Sequence, residues 1–438
     1  MPAPRVYLTV REKFLVAFAL ALAWGAVSSA LAEGWFHDLA AVVGDGTALF
    51  VIAFIAIVPG FMNAFMIASL ALDRRPARKP LAAYPPLTII IAAYDEEDHL
   101  EGTLASIRRQ DYTGPLEVIV VNDGSRDRTS AVARRVAADW TAVRVIDLSH
   151  NLGKSHALNH GLEATRTDLV VTVDGDCVLI VTALRHLVER YAADPPGTCA
   201  VAGMVFVRNS RDSWITRAQE WDYFHGIAAV KRVQSLYHGT LVAQGAFSLY
   251  ERAALRAVGG WPHGVGEDII LTWALLERGW RVGHAEDACL FTTAPRTLGQ
   301  FVMQRRRWAR GMIEAFKRSP RIVLRARLST MFILWNTSFP LLDFAYVAGF
   351  MPGLVLACFG RFWIVGPMTL ALVPLALVMN GFVHRVQLRT WERQGLKVRH
   401  NPSGFLVYFL AYGCVMQPAS VAGYLAEYFR MRKSWGTK

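Results

Sequence analysis

Apolar positions along this chain follow two patterns, and the change between them divides it. Phe14 to Leu31 is apolar and uncharged for about 18 residues, and Leu49 to Leu72 for about 24, long enough to cross a bilayer as helices. A cleaved leader is the rival reading of the first run. The run exceeds a usual signal core, however, and Ala32-Glu-Gly-Trp35 is a poor cleavage site. From Leu87 to about Leu298 no run reaches membrane length, and short β-branched segments alternate with helical periodicity. Leu87–Ala93, Leu116–Val121, Val143–Asp147 and Leu169–Asp174 read as strands. Leu100, Leu104 and Ile107 share one helical face, and Thr129–Ala138 and Ser155–Ala164 read as further helices. This alternation predicts a mostly parallel sheet with right-handed crossovers.

Beyond that unit the pattern turns apolar again. Phe316–Ser329 interleaves Lys317, Arg318, Arg321, Arg325 and Arg327 with Ile322, Val323, Leu324 and Leu328, which predicts a basic amphipathic helix lying in the membrane interface. Met331–Phe359, Phe362–Val383 and Phe405–Phe429 are then long enough to span. The expected organisation is residues 1–84 as two membrane helices and a linker, 85–311 as an α/β domain, 312–330 as the interfacial helix, and 331–438 as about three further spans.

Charge orients this arrangement. Asp73-Arg-Arg-Pro-Ala-Arg-Lys79 follows the second span and should be cytoplasmic, which leaves Glu33–Gly46 as a short outward loop. The His384–His400 stretch is rich in arginine and belongs on the same side as the α/β domain. Five spans would leave the carboxyl terminus outside, whereas Arg430, Arg432 and Lys433 favour inside; a break at Pro418 is one resolution. Overall the chain of 438 residues carries a net charge of +12, with 53% hydrophobic and 19% charged residues. That basic balance fits membrane flanks or a phosphorylated substrate; nucleic acid fits less well, because the cations cluster at membrane flanks rather than along one soluble face. Five scattered cysteines form neither a zinc pattern nor a disulfide framework.

The chemistry-bearing residues sit where strands end. The Leu169 strand runs into Asp174-Gly-Asp176, two carboxylates that repel unless a cation lies between them. Carboxylate and phosphate oxygens are hard ligands, so magnesium or manganese suits them better than zinc. Asp95 follows the first strand and Asp123-Gly-Ser125 the second, positions suited to gripping a nucleotide. Each also has a bland alternative, as helix-start acid or Asp-Gly turn. Lys154 follows Gly153 at a helix start, where it could meet a diphosphate as a point charge. No G-x-G-x-x-G or G-x-x-x-x-G-K-[ST] occurs, so neither a dinucleotide site nor an NTPase phosphate loop is supported. Asp343 is an acid inside an apolar span, read either as part of a sugar-lined channel or as an acid paired within the bundle.

In order, Asp95, Asp123, Lys154 with Asn159, and Asp174-x-Asp176 resemble the family 2 glycosyltransferases of the GT-A fold. Gly266-Glu267-Asp268 resembles the family's acidic motif, although Gly stands where Thr is usual. Gln304-Arg-Arg-Arg307-Trp308 matches the Q-x-x-R-W signature of its membrane-embedded, processive branch. Within that branch, the two amino-terminal spans, Gln244-Gly-Ala-Phe247 and Arg307-Trp-Ala-Arg-Gly311 look like bacterial poly-β-1,6-N-acetylglucosamine synthases, with Gln244 where serine is common. Hyaluronan, chitin-oligosaccharide and glucan synthases share the core motifs, and some lipid-directed, non-processive transferases share Q-x-x-R-W.

The resemblance implies a Rossmann-like GT-A domain inserted between transmembrane helices of an integral protein of the bacterial inner membrane, with its catalytic domain cytoplasmic. It implies a UDP-sugar donor, in the first place UDP-N-acetylglucosamine, a growing polysaccharide acceptor, membrane lipid, and a small accessory membrane subunit. Asp95, Asp123, Lys154, Asp174 and Arg307 would bind the donor, and Asp176 would hold Mg2+ or Mn2+. Gln304 and Trp308 would meet the diphosphate and the acceptor, and Asp268, with Glu267 beside it, would be the catalytic base of an inverting transfer. Of the neighbouring cations, Arg305 or Arg310 is expected to face the membrane surface. A channel or receptor that merely binds nucleotide-sugar is disfavoured, because no essential acid is missing.

Overall fold

The computed structural model describes residues 8–74 and 78–431. Its centre is one sheet of eight strands: Leu87–Ala93 (β1), Leu116–Asn122 (β2), Val143–Asp147 (β3), Leu169–Val173 (β4), Val178–Leu179 (β5), Thr198–Val207 (β6), Phe247–Glu251 (β7) and Arg281–Thr292 (β8). The order across the sheet is β3-β2-β1-β4-β7-β6-β8-β5. The four strands β3-β2-β1-β4 are parallel, as the βα alternation predicts. Beyond β4 the sheet is mixed: β7 is antiparallel to both β4 and β6, β6 and β8 are parallel, and β5 is antiparallel to β8. The expectation of a mostly parallel sheet therefore holds for the first half only. After β4 the chain reverses through connections that no βαβ periodicity marks.

Every residue of β4 and of β6 is buried, because helices cover both faces. Burying Val170, Val171 and Val173 contributes about 2 kcal/mol each before the entropy of ordering them is counted. The predicted helical face of Leu100, Leu104 and Ile107 is likewise fully covered, on the helix Leu100–Arg108. After β1 the chain runs outward to β2 and β3, then crosses back to β4 on the other side. The carboxyl ends of β1 and β4 thus flank a topological switch point, where open α/β sheets leave a crevice.

Among the described residues three helical stretches are long and apolar enough to cross a membrane: Val10–Leu31, Asp45–Leu72 and Thr330–Cys358. Pro402–Leu410 and Tyr412–Tyr428, bent by 51°, make a fourth if they form one span. The break lies at Ala411, not at Pro418, which sits inside the helix Tyr412–Tyr428. The remaining expected span, Phe362–Val383, is helical only from Pro367 onward, in the helix Pro367–Glu392. Glu33–Gly46 is not an open loop, since Glu33–Val43 is helical.

The expected interfacial helix over 312–330 does not form. Phe316, Lys317 and Arg318 instead finish the 21-residue helix Leu298–Arg318, and Pro320–Leu324 is a short 3-10 turn before the next helix starts at Thr330. Pro320 has no N–H to offer and excludes the preceding residue from helical geometry, so the helix stops at Arg318. The long helix starts cleanly, because Thr297 and Gln300 form a reciprocal capping box.

The apolar helices are joined to the sheet domain by shared core rather than by a tether alone. Phe14, Phe65, Tyr237, Phe332 and Trp335 form one aromatic cluster with ring separations of 5.2–6.1 Å. Ser69 and Tyr237 share a buried hydrogen bond of 2.9 Å at its edge. Within the linker, Arg78 pairs with Glu189 at 3.2 Å and with Asp287. Residues 75–77 of the expected basic flank, and Arg432 and Lys433, lie outside the described residues.

Candidate active site

The site assembles at the switch point from several stretches of chain. The first is the turn after β1. Asp95 adopts a left-handed backbone with φ 52°, a conformation costing about 1 kcal/mol or more outside glycine. Bonds to the turn after β2 hold it: its N–H donates to Ser125 Oγ at 3.1 Å, and its Oδ1 accepts from the Arg126 N–H at 2.9 Å. Gly124, at φ 67°, permits that approach, since a Cβ there would lie 2.5 Å from the His150 carbonyl carbon.

Asp123 is placed differently from Asp95. It is buried, and both its oxygens accept backbone N–H groups, from Leu152 at 2.9 Å and Gly153 at 2.8 Å. Its carboxylate shapes the loop that delivers Lys154. Asn159, one helical turn later, braces the turn before the acidic motif, donating to the Trp261 carbonyl and accepting its N–H, both at 2.8 Å.

Lys154 is the hub. Its Nζ bonds Asp174 and lies 3.9 Å from Glu267 Oε1. Burial alone pulls its pKa down, but the charges of Asp174, Glu267 and Asp268 outweigh this and raise it, so the ammonium is fixed. Glu267 answers in the opposite sense. Burial pushes it up to about 7, Lys154 opposes that, and Asp268 adds to it; Arg307 also lowers it, which puts the guanidinium charge within electrostatic reach of the acid. Gly245 lets these groups meet: a Cβ there would sit 3.0 Å from Lys154 Nζ and 3.4 Å from Glu267 Oε1. Glu267 and Asp268 open the helix Glu267–Glu277, where the dipole favours negative charge. Glu267 is buried and Asp268 half-buried, with Oδ1 accepting the Ile269 N–H at 2.8 Å.

Asp176 is held more loosely. Thr292 Oγ1 lies 3.2 Å from each of its oxygens and the Thr293 N–H 3.4 Å from one. Among the described residues no group of three or more His, Cys, Asp or Glu side chains could hold a metal alone. A single carboxylate completed by substrate phosphates and water is, however, a common magnesium arrangement, and the hard oxygens of Asp176 fit it. Asp174, by contrast, is already paired with Lys154.

The last stretch is the Leu298–Arg318 helix, which carries Gln304, Arg307 and Trp308. Trp308 is 39% exposed, and its ring lies 6.4 Å from that of Tyr223. The neighbouring cations contradict the expectation that Arg305 or Arg310 meets the membrane surface. Both are 5% exposed. Arg305 bonds Asp222 at 2.7 Å, and Arg310 bonds Glu427 at 2.8 Å and the Met431 carbonyl. The helix is packed against Tyr412–Tyr428 on that side, so a charge there must be paired. Arg307, half-buried, makes none of the described ion pairs. Asp343 accepts a 2.8 Å hydrogen bond from Tyr424, the paired-in-bundle alternative for that residue.

Sequence reasoning missed Gly245, Thr292, Asp222 and Lys231. The last is a buried lysine whose Nζ bonds the Val242 carbonyl at 2.5 Å and Gln244 Oε1, with burial pulling its pKa down to about 7. Gln244 thus supplies an acceptor to a buried cation. A glutamine at the end of Leu241-Val-Ala-Gln244 carries no signal of that role.

A switch-point sheet with acids at the ends of β1 and β4, joined to an acid-opened helix, is the GT-A arrangement. A solved mannosyltransferase from Pyrobaculum calidifontis, in complex with GDP-Man and Mn2+, shares the fold at a TM-score of 0.60 and 19% identity, covering 87% of this chain and 99% of that one. The family model "Glycosyltransferase like family 2" matches residues 85–311. The chain belongs to that family. The poly-beta-1,6-N-acetyl-D-glucosamine synthase of Staphylococcus aureus strain MSSA476 is 31% identical over 249 residues, 57% of this chain and 60% of that protein. The synthase of the same name from Staphylococcus epidermidis is 28% identical over 262 residues, 60% of this chain and 63% of that one. The chain therefore aligns with less than two thirds of the length of these relatives.

Proposed function

We propose that the protein is a processive, inverting UDP-sugar transferase that builds a β-linked polysaccharide, most specifically poly-β-1,6-N-acetylglucosamine, at the bacterial inner membrane with its catalytic domain cytoplasmic. The observation that carries this reading is the convergence of Lys154 on Asp174 and Glu267, which draws the strand-end acids and the acidic helix into one site within electrostatic reach of Arg307. Likeness to synthases of that name supports the choice of sugar.

In this reading Asp95 meets the nucleoside, while Asp123 and Lys154 set the loop and the charge beneath it. Asp176 would hold Mg2+ or Mn2+; such an ion supplies charge neutralisation for a departing diphosphate. Arg307 offers paired donors to diphosphate oxygens, as a lysine could not. Gln304 lies one helical turn away on the same helix, and Trp308 presents a flat apolar face to an acceptor sugar. Asp268, the less buried of the two acids, takes the proton from the acceptor hydroxyl as that oxygen attacks the anomeric carbon from the face opposite the leaving group. The bond to the diphosphate breaks as the glycosidic bond forms, so an α-linked donor gives a β-linked product. Glu267 holds Lys154 and thereby the base beside it.

The test is purified protein with each UDP-sugar and Mg2+ or Mn2+, scored by UDP release and by digestion of the product with linkage-specific hydrolases. Release with UDP-N-acetylglucosamine and polymer cut by a β-1,6-N-acetylglucosaminidase is expected. A product of one sugar on a lipid would overturn processivity, and release with another sugar alone would overturn the substrate.

A further inference from the structure

Arg305 is not part of the reacting set, yet it is held by a carboxylate, a phenol and three aromatic rings. Its Nη2 donates to Asp222 Oδ2 at 2.7 Å and to the Tyr412 hydroxyl at 2.8 Å, and that hydroxyl donates to the same Asp222 oxygen at 3.0 Å. The guanidinium also lies over aromatic rings. Its central carbon lies 4.2 Å from the centroid of the Trp308 ring, 4.9 Å from that of Phe301 and 5.8 Å from that of Tyr412. Trp308 is the outer member of this stack, 39% exposed, whereas Arg305 is buried.

The partners come from three separate elements. Asp222 begins the π-helical turn Asp222–Ile227, and a Cβ on Gly226 would lie 2.8 Å from Asp222 Oδ1, so glycine there leaves the carboxylate room to reach Arg305. Tyr412 is the first residue after the Ala411 break in the bent apolar helix pair. A π-turn and a broken helix therefore both end on the one guanidinium that underlies Trp308. An ion pair needs only a charge, and a lysine would supply it; a flat cation spanning a carboxylate, a phenol and an indole needs arginine. Cation–π contacts of this kind are worth about 0.5–2 kcal/mol, enough to fix the orientation of a half-exposed ring.

We infer that Arg305 is a positioning residue for the acceptor: held by Asp222 and Tyr412, it fixes the Trp308 ring as a sugar platform and ties that platform to the break in the apolar helix pair. The inference rests on the proposed transferase reading. It predicts that losing the stack weakens acceptor binding and leaves donor chemistry alone.

The test uses the full chain, UDP-N-acetylglucosamine and an N-acetylglucosamine oligosaccharide, with acceptor KM, donor KM and acceptor-independent UDP release measured separately. Arg305→Lys keeps the charge for Asp222 but not the stack. It should raise acceptor KM about tenfold with donor KM and UDP release within about twofold of wild type. Trp308→Ala should raise acceptor KM at least as much, and the double variant should be no worse than Trp308→Ala alone. Additive effects in the double variant, or donor and acceptor KM rising together, would overturn the inference and leave Arg305 as a packing anchor. Should Arg305→Lys not fold, Tyr412→Phe keeps the ring and removes the hydroxyl; a smaller rise confined to acceptor KM is then expected, and an unchanged acceptor KM would overturn the inference. Absence of transfer from every UDP-sugar by the wild type would instead sink the transferase reading.

Discussion

Lys154→Met tests the electrostatic core of the site. Lys154 and Asp174 keep 23% and 31% side-chain exposure, and Glu267 keeps 9%. Breaking a fully buried ion pair by removing one partner costs about 3–5 kcal/mol. Water still reaches part of this pair, so about 2 kcal/mol is the better expectation, equivalent to a fall of about 5 °C in the unfolding midpoint. The effect should depend on pH, and its sign follows from Glu267. Burial raises that acid from 4.5 to about 7, so the native state binds its proton more tightly than the unfolded chain does. Its ionisation therefore costs stability as pH rises from about 4.5 through about 7, after which the wild type levels off. Lys154 is one of the charges holding that value down. Without it Glu267 climbs further, and the loss of stability extends to higher pH. The pKa of Lys154 itself is raised above 10.5, so its contribution stays intact across the range tested. Thermal unfolding of both proteins in chelating buffer from pH 5 to 8.5 should give curves that approach each other at the acid end and separate at the alkaline end. A constant offset across that range would refute the idea that Lys154 acts through Glu267.

Other substitutions address single roles. Asp268→Asn should retain donor binding by calorimetry and lower polymerisation by about a hundredfold or more; radiolabelled sugar incorporated near the wild-type rate would remove Asp268 from the base position. Arg307→Lys keeps charge but loses paired donation, so kcat/KM for the UDP-sugar should fall about ten- to a hundredfold, and full activity would leave Arg307 without a role at the diphosphate. Glu427→Gln removes the counter-charge of the buried Arg310 and of Lys317, 3.0 Å away. It should cost about 3 kcal/mol in detergent-solubilised protein, seen as a lower unfolding midpoint with donor KM unchanged; an unaltered midpoint would show that the pair is dispensable.

The first half of the sheet is legible in the sequence because β-branched runs alternate there with amphipathic helices, a pattern that two-sided burial and right-handed crossovers together demand. The second half is not. β7 inserts antiparallel between β4 and β6, and its register against both is decided by tertiary fit rather than by any local period. The candidate site divides in the same way. Asp95, Asp174, Asp176 and Asp268 stand at strand ends or helix starts, where sequence position already implies accessibility. Asp123 stands at such a place too, yet it turns inward to cap the Leu152 and Gly153 amides, and nothing in Val-Asn-Asp-Gly distinguishes that orientation from an outward one. Gly245 matters through what is absent from it, and its partners Lys154 and Glu267 lie far away in the chain.

The run Arg305-Arg306-Arg307 marks the limit most sharply. Successive helical residues are turned by about 100°, so three consecutive arginines must face three environments, and composition alone cannot assign them. A basic stripe beside apolar spans reads naturally as a headgroup anchor, and that reading fails for Arg305 and Arg310 because acids from distant elements are buried opposite them. Burying a guanidinium is tolerable only with such a partner. Asp222 and Glu427 are therefore what divert these two cations inward, while Arg307 makes none of the described ion pairs and, in the proposed reading, keeps its donors for the diphosphate. The same helix thus carries paired, structural charge where it packs against Tyr412–Tyr428 and, in the proposed reading, ligand-binding charge at Arg307.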